Sequence, residues 1–144
     1  VTSVHDGVAQ NSPVGRRPGW QEFLRRPLDL AGNHVILKHG PREYSAYMHL
    51  MPGLKVRPGQ RVEQGQVVGL CGNSGNSLET HLHFQLQDGP DPIRARGLPV
   101  RFGDFTVHWA HVSLYVPPDR PMPLPVRLTV EPGRAEGAVL YDPR

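Results

Sequence analysis

Cysteine is almost missing from this chain. Cys71 is the single one in 144 residues, so no internal disulfide can form and the redox compartment is left open. It closes the apolar run Val67-Val68-Gly69-Leu70, which suits a buried structural thiol better than a catalytic one. Lysine is nearly as scarce: Lys38 and Lys55 are the only two. No apolar run approaches the length of a transmembrane helix, and no secretory leader pattern opens the chain. Blocks of one charge are missing too. The net charge of +3 is scattered among acids and prolines, with no stripe of the kind that grips a phosphate backbone, so a nucleic-acid partner is not expected.

Turn formers are what the chain has in excess. With 16 glycines and 16 prolines, long helices are excluded, and short strands joined by many turns are expected. Residues 1–9 read as a strand with Asp6-Gly7 as a turn or bulge. Residues 10–31 read as a polar, exposed excursion, with Arg16-Arg17 and Arg25-Arg26 solvated and Trp20, Phe23 and Leu24 docking a short helical turn. Residues 33–39 and 44–50 form a hairpin about Gly40-Pro41-Arg42-Glu43. Residues 56–69 repeat Val, Gly and Gln around short β steps, and a strand over 81–87 ends at Asp88-Gly89-Pro90. Residues 93–103 are irregular, and strands over 105–116, 126–130 and 138–141 flank a Pro-rich link at 117–125. The expectation is a mostly β, antiparallel fold: a domain over residues 1–103 and a C-terminal β segment over 104–144.

The most informative stretch is His81-Leu82-His83-Phe84, just after Gly72-Asn73-Ser74-Gly75-Asn76-Ser77. Side chains alternate along an extended strand, so His81 and His83 look into one space while Leu82 and Phe84 face the opposite layer. Two imidazoles at the mouth of a glycine-rich loop suit a metal ligand beside an acid/base group. A catalytic zinc takes about three protein ligands and an open position, and one convincing ligand is visible here. His34 and His39 flank a strand and are expected to be solvated. His108 and His111 are three apart on a strand, hence on opposite faces, and do not share a metal.

Tyr47-Met48-His49-Leu50, then Val-x-x-Gly-Gln-x-Val-x-x-Gly-Gln over residues 56–66, then Gly72 to Ser77, then His81 to Phe84 form an ordered series. Together with Asp6-Gly7-Val8, Gly32-Asn33-His34-Val35-Ile36 and His39-Gly40, this series resembles the lysostaphin-type (LytM-like) zinc metallopeptidases that cut peptidoglycan cross-links, over about the first 100 residues. The resemblance implies a duplicated β-sandwich/barrel hybrid fold, one zinc ion, hydrolysis of peptide bonds in bacterial cell wall, and an extracytoplasmic location, periplasmic or secreted. It makes His83 a zinc ligand, His81 the general base or a transition-state stabiliser, and His49 a third active-site histidine able to donate a hydrogen bond to the developing oxyanion. Tyr47, Asn73, Ser74 and Asn76 are expected to line the substrate site, the small residues letting an extended peptide approach closely.

One departure stands out. The family supplies two more zinc ligands from a His-x-x-x-Asp motif upstream of the strand that Asp6-Gly7-Val8 matches. Here only five residues precede Asp6, and His5 beside it points to the other face. The ligand set is therefore incomplete, zinc should bind weakly, and this form is expected to be inactive or impaired. The start at Val1 favours a chain cut behind that motif. The alternative is a degenerate, non-catalytic member that docks cell-wall amidases or peptidoglycan. A lipoyl- or biotinyl-carrier reading of residues 56–69 needs an exposed lysine at a hairpin tip, and neither Lys38 nor Lys55 has that context.

Overall fold

A five-stranded antiparallel sheet carries the molecule's chemistry, and its strands coincide with the short β-rich runs of the sequence. They are Ser3–His5 (β1), Asn33–Gly40 (β2), Glu43–Leu50 (β3), His83–Gln87 (β5) and Gly97–Leu98 (β6), in the spatial order β1-β2-β3-β5-β6. Val67–Leu70 (β4) pairs antiparallel with Ala138–Leu140 (β7) in a second, two-stranded sheet. This computed structural model describes residues 1–11, 19–100 and 138–140, the last three by backbone alone. The chain divides into two units, and every described residue falls in the one made of Val1–Val100 and Ala135–Arg144. The fold is mostly β with little helix, as expected.

The β2–β3 hairpin is the core of the sheet. Its loop is Pro41-Arg42, with Arg42 at φ 62, a conformation that lets so short a connection reverse the chain. Strand alternation sorts the side chains onto two faces. On one, Val35, Leu37, Tyr47, Leu50, Val56 and Val68 form a buried cluster, with Val4, Cys71 and Phe84 packed against it. On the other, Ile36, Ala46 and Met48 meet Ala31. Each fully buried aliphatic side chain contributes roughly 1.5–3 kcal/mol. The Cys71 thiol is half-buried, and burial raises its pKa, in keeping with a structural role.

Several boundaries differ from the sequence reading. The N-terminal strand stops at His5, because Asp6 turns its carboxylate to accept the N–H groups of Gly7 (2.8 Å), Gly53 (3.0 Å) and Leu54 (3.0 Å). Residues 56–66 are turns, and the only strand of that repeat is β4. β5 begins at His83, not at residue 81. β6 lies where an irregular segment was expected. The helical turn is present as Trp20–Arg25 (α1), ended by Pro27, which opens a 3-10 turn over Pro27–Ala31. Only Phe23 of its three large apolar residues is buried; Trp20 and Leu24 are both 68% exposed. His34 was expected in solvent and is buried. The strands expected at 105–116 and 126–130, the link at 117–125, His108, His111 and Arg16-Arg17 lie outside the described residues.

Candidate active site

His49 reaches the site through a β-bulge. Asn33 pairs with Leu50 and Val35 with Tyr47, so one residue of β2 faces two of β3. Tyr47 and Leu50 both enter the same apolar cluster although they are three apart. The extra residue thus keeps both on the core face and leaves His49 on the side of its neighbour Met48. The bulge is taken up by His49 itself, at φ 61, where an L side chain is strained. Met48 pairs with His83 of β5. The His49 ring then lies 4.9 Å from that of His81 and 5.7 Å from that of His83, centroid to centroid. His81 and His83 are both exposed, so the cluster opens to solvent.

The loop over residues 72–77 is held rigidly beneath this cluster. Ser74 Oγ accepts from the Asn33 N–H (2.9 Å) and donates to the Leu50 carbonyl (2.8 Å). Asn11 Nδ2 donates to the carbonyls of Gly75 (2.9 Å) and Ser77 (2.8 Å), and Gln10 Oε1 accepts the Asn73 N–H (2.6 Å). Gly32 and Gly75 pack backbone to backbone at positive φ, and a Cβ on either would overlap the other or Ser74. The loop therefore presents its Ser74 carbonyl to His49 at a fixed position.

Each imidazole has one nitrogen against an acceptor, and that sets its tautomer. His49 Nδ1 lies 2.8 Å from the Ser74 carbonyl, and His81 Nδ1 lies 2.9 Å from the Glu79 carbonyl. A carbonyl can only accept, so in both rings Nδ1 carries a proton, and in the neutral form of each ring the lone pair is on Nε2. His83 is inverted: its Nε2 donates to Gln85 Oε1 (2.9 Å), leaving the lone pair on Nδ1. Burial pushes the pKa of His49 down from 6.5 to about 4; the Ser74 hydrogen bond opposes this, and the neighbouring His81, His83 and His34 add to it. At neutral pH His49 is therefore uncharged, with its single N–H given to Ser74. In that state its other nitrogen, Nε2, accepts a hydrogen bond.

The structure brings His49, His81 and His83 together as the sequence suggested. The expected substrate residues fare differently. Tyr47, 3% exposed, packs its ring 5.2 Å from Phe84 in the core, so it supports the sheet and does not present a ring to a groove. Asn73 and Ser74 are buried; Ser74 Oγ and Asn73 Nδ2 tie the loop down, while Asn73 Oδ1 is buried with no hydrogen bond among the described residues. Asn76 alone of the four is exposed. Leu82 is 38% exposed, since it precedes the regular strand, whereas Phe84 packs on the core as its parity requires. The sequence reading missed Asn33, Asn11 and Gln85. The alternation His83, Gln85, Gln87 on one face of β5 was a visible signal for the last.

The donor set decides whether zinc fits. Each of three imidazoles can offer one lone pair, but among the described residues no carboxylate joins them in a metal-holding group. Among the described residues, no group of three or more His, Cys, Asp or Glu side chains could hold a metal ion. These residues do not by themselves make a zinc site.

A histidine cluster of this kind on an antiparallel sheet has the donor chemistry for proton transfer or ligation. The model of peptidase family M23 matches residues 2–95, and the chain belongs to that family. It is 42% identical over 96 residues to the peptidoglycan DD-endopeptidase ShyA of Vibrio cholerae, covering 63% of this chain and 22% of that protein. It is 38% identical over 84 residues to an uncharacterized metalloprotease of Haemophilus influenzae, covering 58% and 18%. The cell division protein DipM of Caulobacter vibrioides is 35% identical over 101 residues, covering 67% and 16%. The chain thus spans about a fifth of the length of these relatives. No solved structure matches it.

Proposed function

We propose that this chain carries the histidine part of the active site of a zinc-dependent endopeptidase that hydrolyses peptide cross-links in peptidoglycan, outside the cytoplasm. Three imidazoles that have each committed one nitrogen to an acceptor, with the His49 ring 4.9 Å from that of His81 and 5.7 Å from that of His83, carry this reading. Relatives named as peptidoglycan DD-endopeptidases supply the substrate class. The peptidase part is placed within residues 1–103, with 104–144 a C-terminal β segment. Asn76 is the substrate contact that the loop leaves accessible.

The roles follow from the lone pairs. His81 Nε2, exposed and backed by Glu79, takes a proton from the attacking water and returns it to the leaving amine, a function contributing about 10²–10⁴-fold. His49 Nε2 accepts a hydrogen bond and so orients that water or the substrate amide. His83 Nδ1 is the donor this chain offers to zinc. When bound, the ion would supply a lowered water pKa and a Lewis acid.

The test is hydrolysis of purified peptidoglycan, read as released muropeptides. The 144-residue chain alone should bind zinc weakly and cut poorly. The same chain joined to a segment bearing His-x-x-x-Asp should cut, with His81→Ala and His83→Ala each abolishing the gain. Robust cutting by the 144-residue chain alone, abolished by His83→Ala, would contradict the incomplete ligand set. No cutting by the joined protein would favour a second reading: a non-catalytic module that docks on amidases or on peptidoglycan itself. The incomplete donor set and a relative named as a cell division protein support that alternative.

A further inference from the structure

We infer that Gln85 and Gln87 form an amide relay that sets the tautomer of His83 from a backbone carbonyl four residues beyond Gln85, making both glutamines positioning residues for the site. This inference rests on the proposed reading only for its consequence in hydrolysis; the relay itself stands on geometry.

Residues 83, 85 and 87 occupy one face of β5. Gln87, with no solvent exposure, donates from Nε2 to the Gly89 carbonyl at 2.7 Å. Its Oε1 accepts from Gln85 Nε2 at 2.7 Å. Gln85 Oε1 in turn lies 2.9 Å from His83 Nε2. The direction of this chain is dictated at its far end. A carbonyl cannot donate, so the Gln87 amide must turn its NH₂ toward Gly89 and its oxygen toward Gln85. The Gln85 amide must then turn its NH₂ toward Gln87 and its oxygen toward His83. Only an N–H fits at His83 Nε2, and the lone pair is forced onto Nδ1. Reversing either amide would place two oxygens, or two NH₂ groups, against each other, one pair of them at a buried position. Linked hydrogen bonds also polarise one another, so the relay holds the ring orientation as well as the proton.

His83 is the one of the three imidazoles with no backbone carbonyl against its ring: His49 rests on the Ser74 carbonyl, and His81 on the Glu79 carbonyl with the Ser77 hydroxyl 3.2 Å from the same nitrogen. It is therefore the ring whose tautomer can be reset by substitution. Partners of this kind behind a ligating histidine are worth about 10–100-fold in affinity or activity.

Ring-nitrogen NMR of the 144-residue chain at pH 8 tests the relay without any metal or substrate. In the wild type, His83 should show a protonated Nε2 and an unprotonated Nδ1. Gln85→Lys replaces the acceptor by a donor and should exchange the two signals, while Gln85→Leu should give an averaged pair. Gln85→Glu keeps an acceptor and should restore the wild-type pattern. Gln87→Leu does not touch His83, yet it should also give averaging. If that buried substitution unfolds the chain, the three Gln85 variants still decide. A His83 pattern that is unchanged in Gln85→Lys and Gln85→Leu overturns the relay. In the peptidoglycan assay on the donor-completed protein, Gln85→Lys should lose about 10- to 100-fold and Gln85→Glu should lose less. Absence of any hydrolysis with the expected tautomers would sink the peptidase reading and leave the relay standing.

Discussion

Two histidine clusters sit on this sheet, and they differ in what stands behind each ring. In one, His5 Nε2 meets Asp29 Oδ1 at 2.7 Å, Arg26 approaches the other carboxylate oxygen at 3.3 Å, and His34 stacks under His5 at 5.2 Å with 22° between the rings. The His34 Nδ1 is held by the Gly32 carbonyl at 2.8 Å, and burial lowers its pKa. A cavity of about 270 Å³ lined by His5, His34 and Asp91 adjoins this cluster. In the other, His49, His81 and His83 have backbone and amide oxygens behind them and, among the described residues, no carboxylate. The first cluster sets a carboxylate against its ring and fastens the 3-10 turn to β1. The second has two rings exposed to solvent, His81 and His83. Proximity of histidines is therefore not what marks the reactive cluster; the partner of the second nitrogen is.

Substitutions should separate the two clusters. His81→Ala, in a donor-completed protein, should lower peptidoglycan hydrolysis by about 10²–10⁴-fold while leaving urea stability nearly unchanged. Loss of activity no larger than that of a surface substitution would remove His81 from the chemistry. Gly75→Ala forces a Cβ into the backbone of Gly32 and should cost roughly 2–4 kcal/mol in urea unfolding, because neither backbone can retreat.

Acid should act next. The folded pKa of His49 lies below its unfolded value, 6.5 lowered to about 4. The folded state thus resists protonation: this stability is complete above pH 6.5 and is lost as pH falls from 6.5 toward 4, by up to roughly 3 kcal/mol. His34 acts in the same direction. Urea midpoints at pH 7.5, 5.5 and 4.5 should fall in that order, and His49→Leu should flatten the fall. The smallest effect should come from Asp29→Asn, which keeps an acceptor for His5 but removes the charge. It should cost about 1 kcal/mol and leave hydrolysis unchanged.

Much of this arrangement was legible in the residues. The hairpin follows from two β-rich runs about Gly40-Pro41-Arg42-Glu43, and the ordered motifs place His49, His81 and His83 in one site. What the residue pattern does not encode is parity at the bulge: strict alternation from Tyr47 would send His49 into the core, and only the pairing of Asn33 with Leu50 shows the extra residue. Tyr47 misled for the same reason, since its place beside a motif histidine says nothing about which face it takes. Ser74 and Asn73 misled because small polar residues in a loop serve equally to touch a peptide or to satisfy buried backbone, and here long-range bonds to Asn33, Gln10 and Asn11 decide for the second. His34 was misplaced because β1 and the 3-10 turn, distant in sequence, cover it.

The measurement that goes most directly to the centre of this account is a tautomer map of the three site histidines in the unmodified chain, by ring-nitrogen NMR near pH 8. Protons on Nδ1 of His49, Nδ1 of His81 and Nε2 of His83, with the His49 ring neutral, is the predicted result. A proton on Nε2 of His49 or His81, or a His49 ring still charged at that pH, would contradict it.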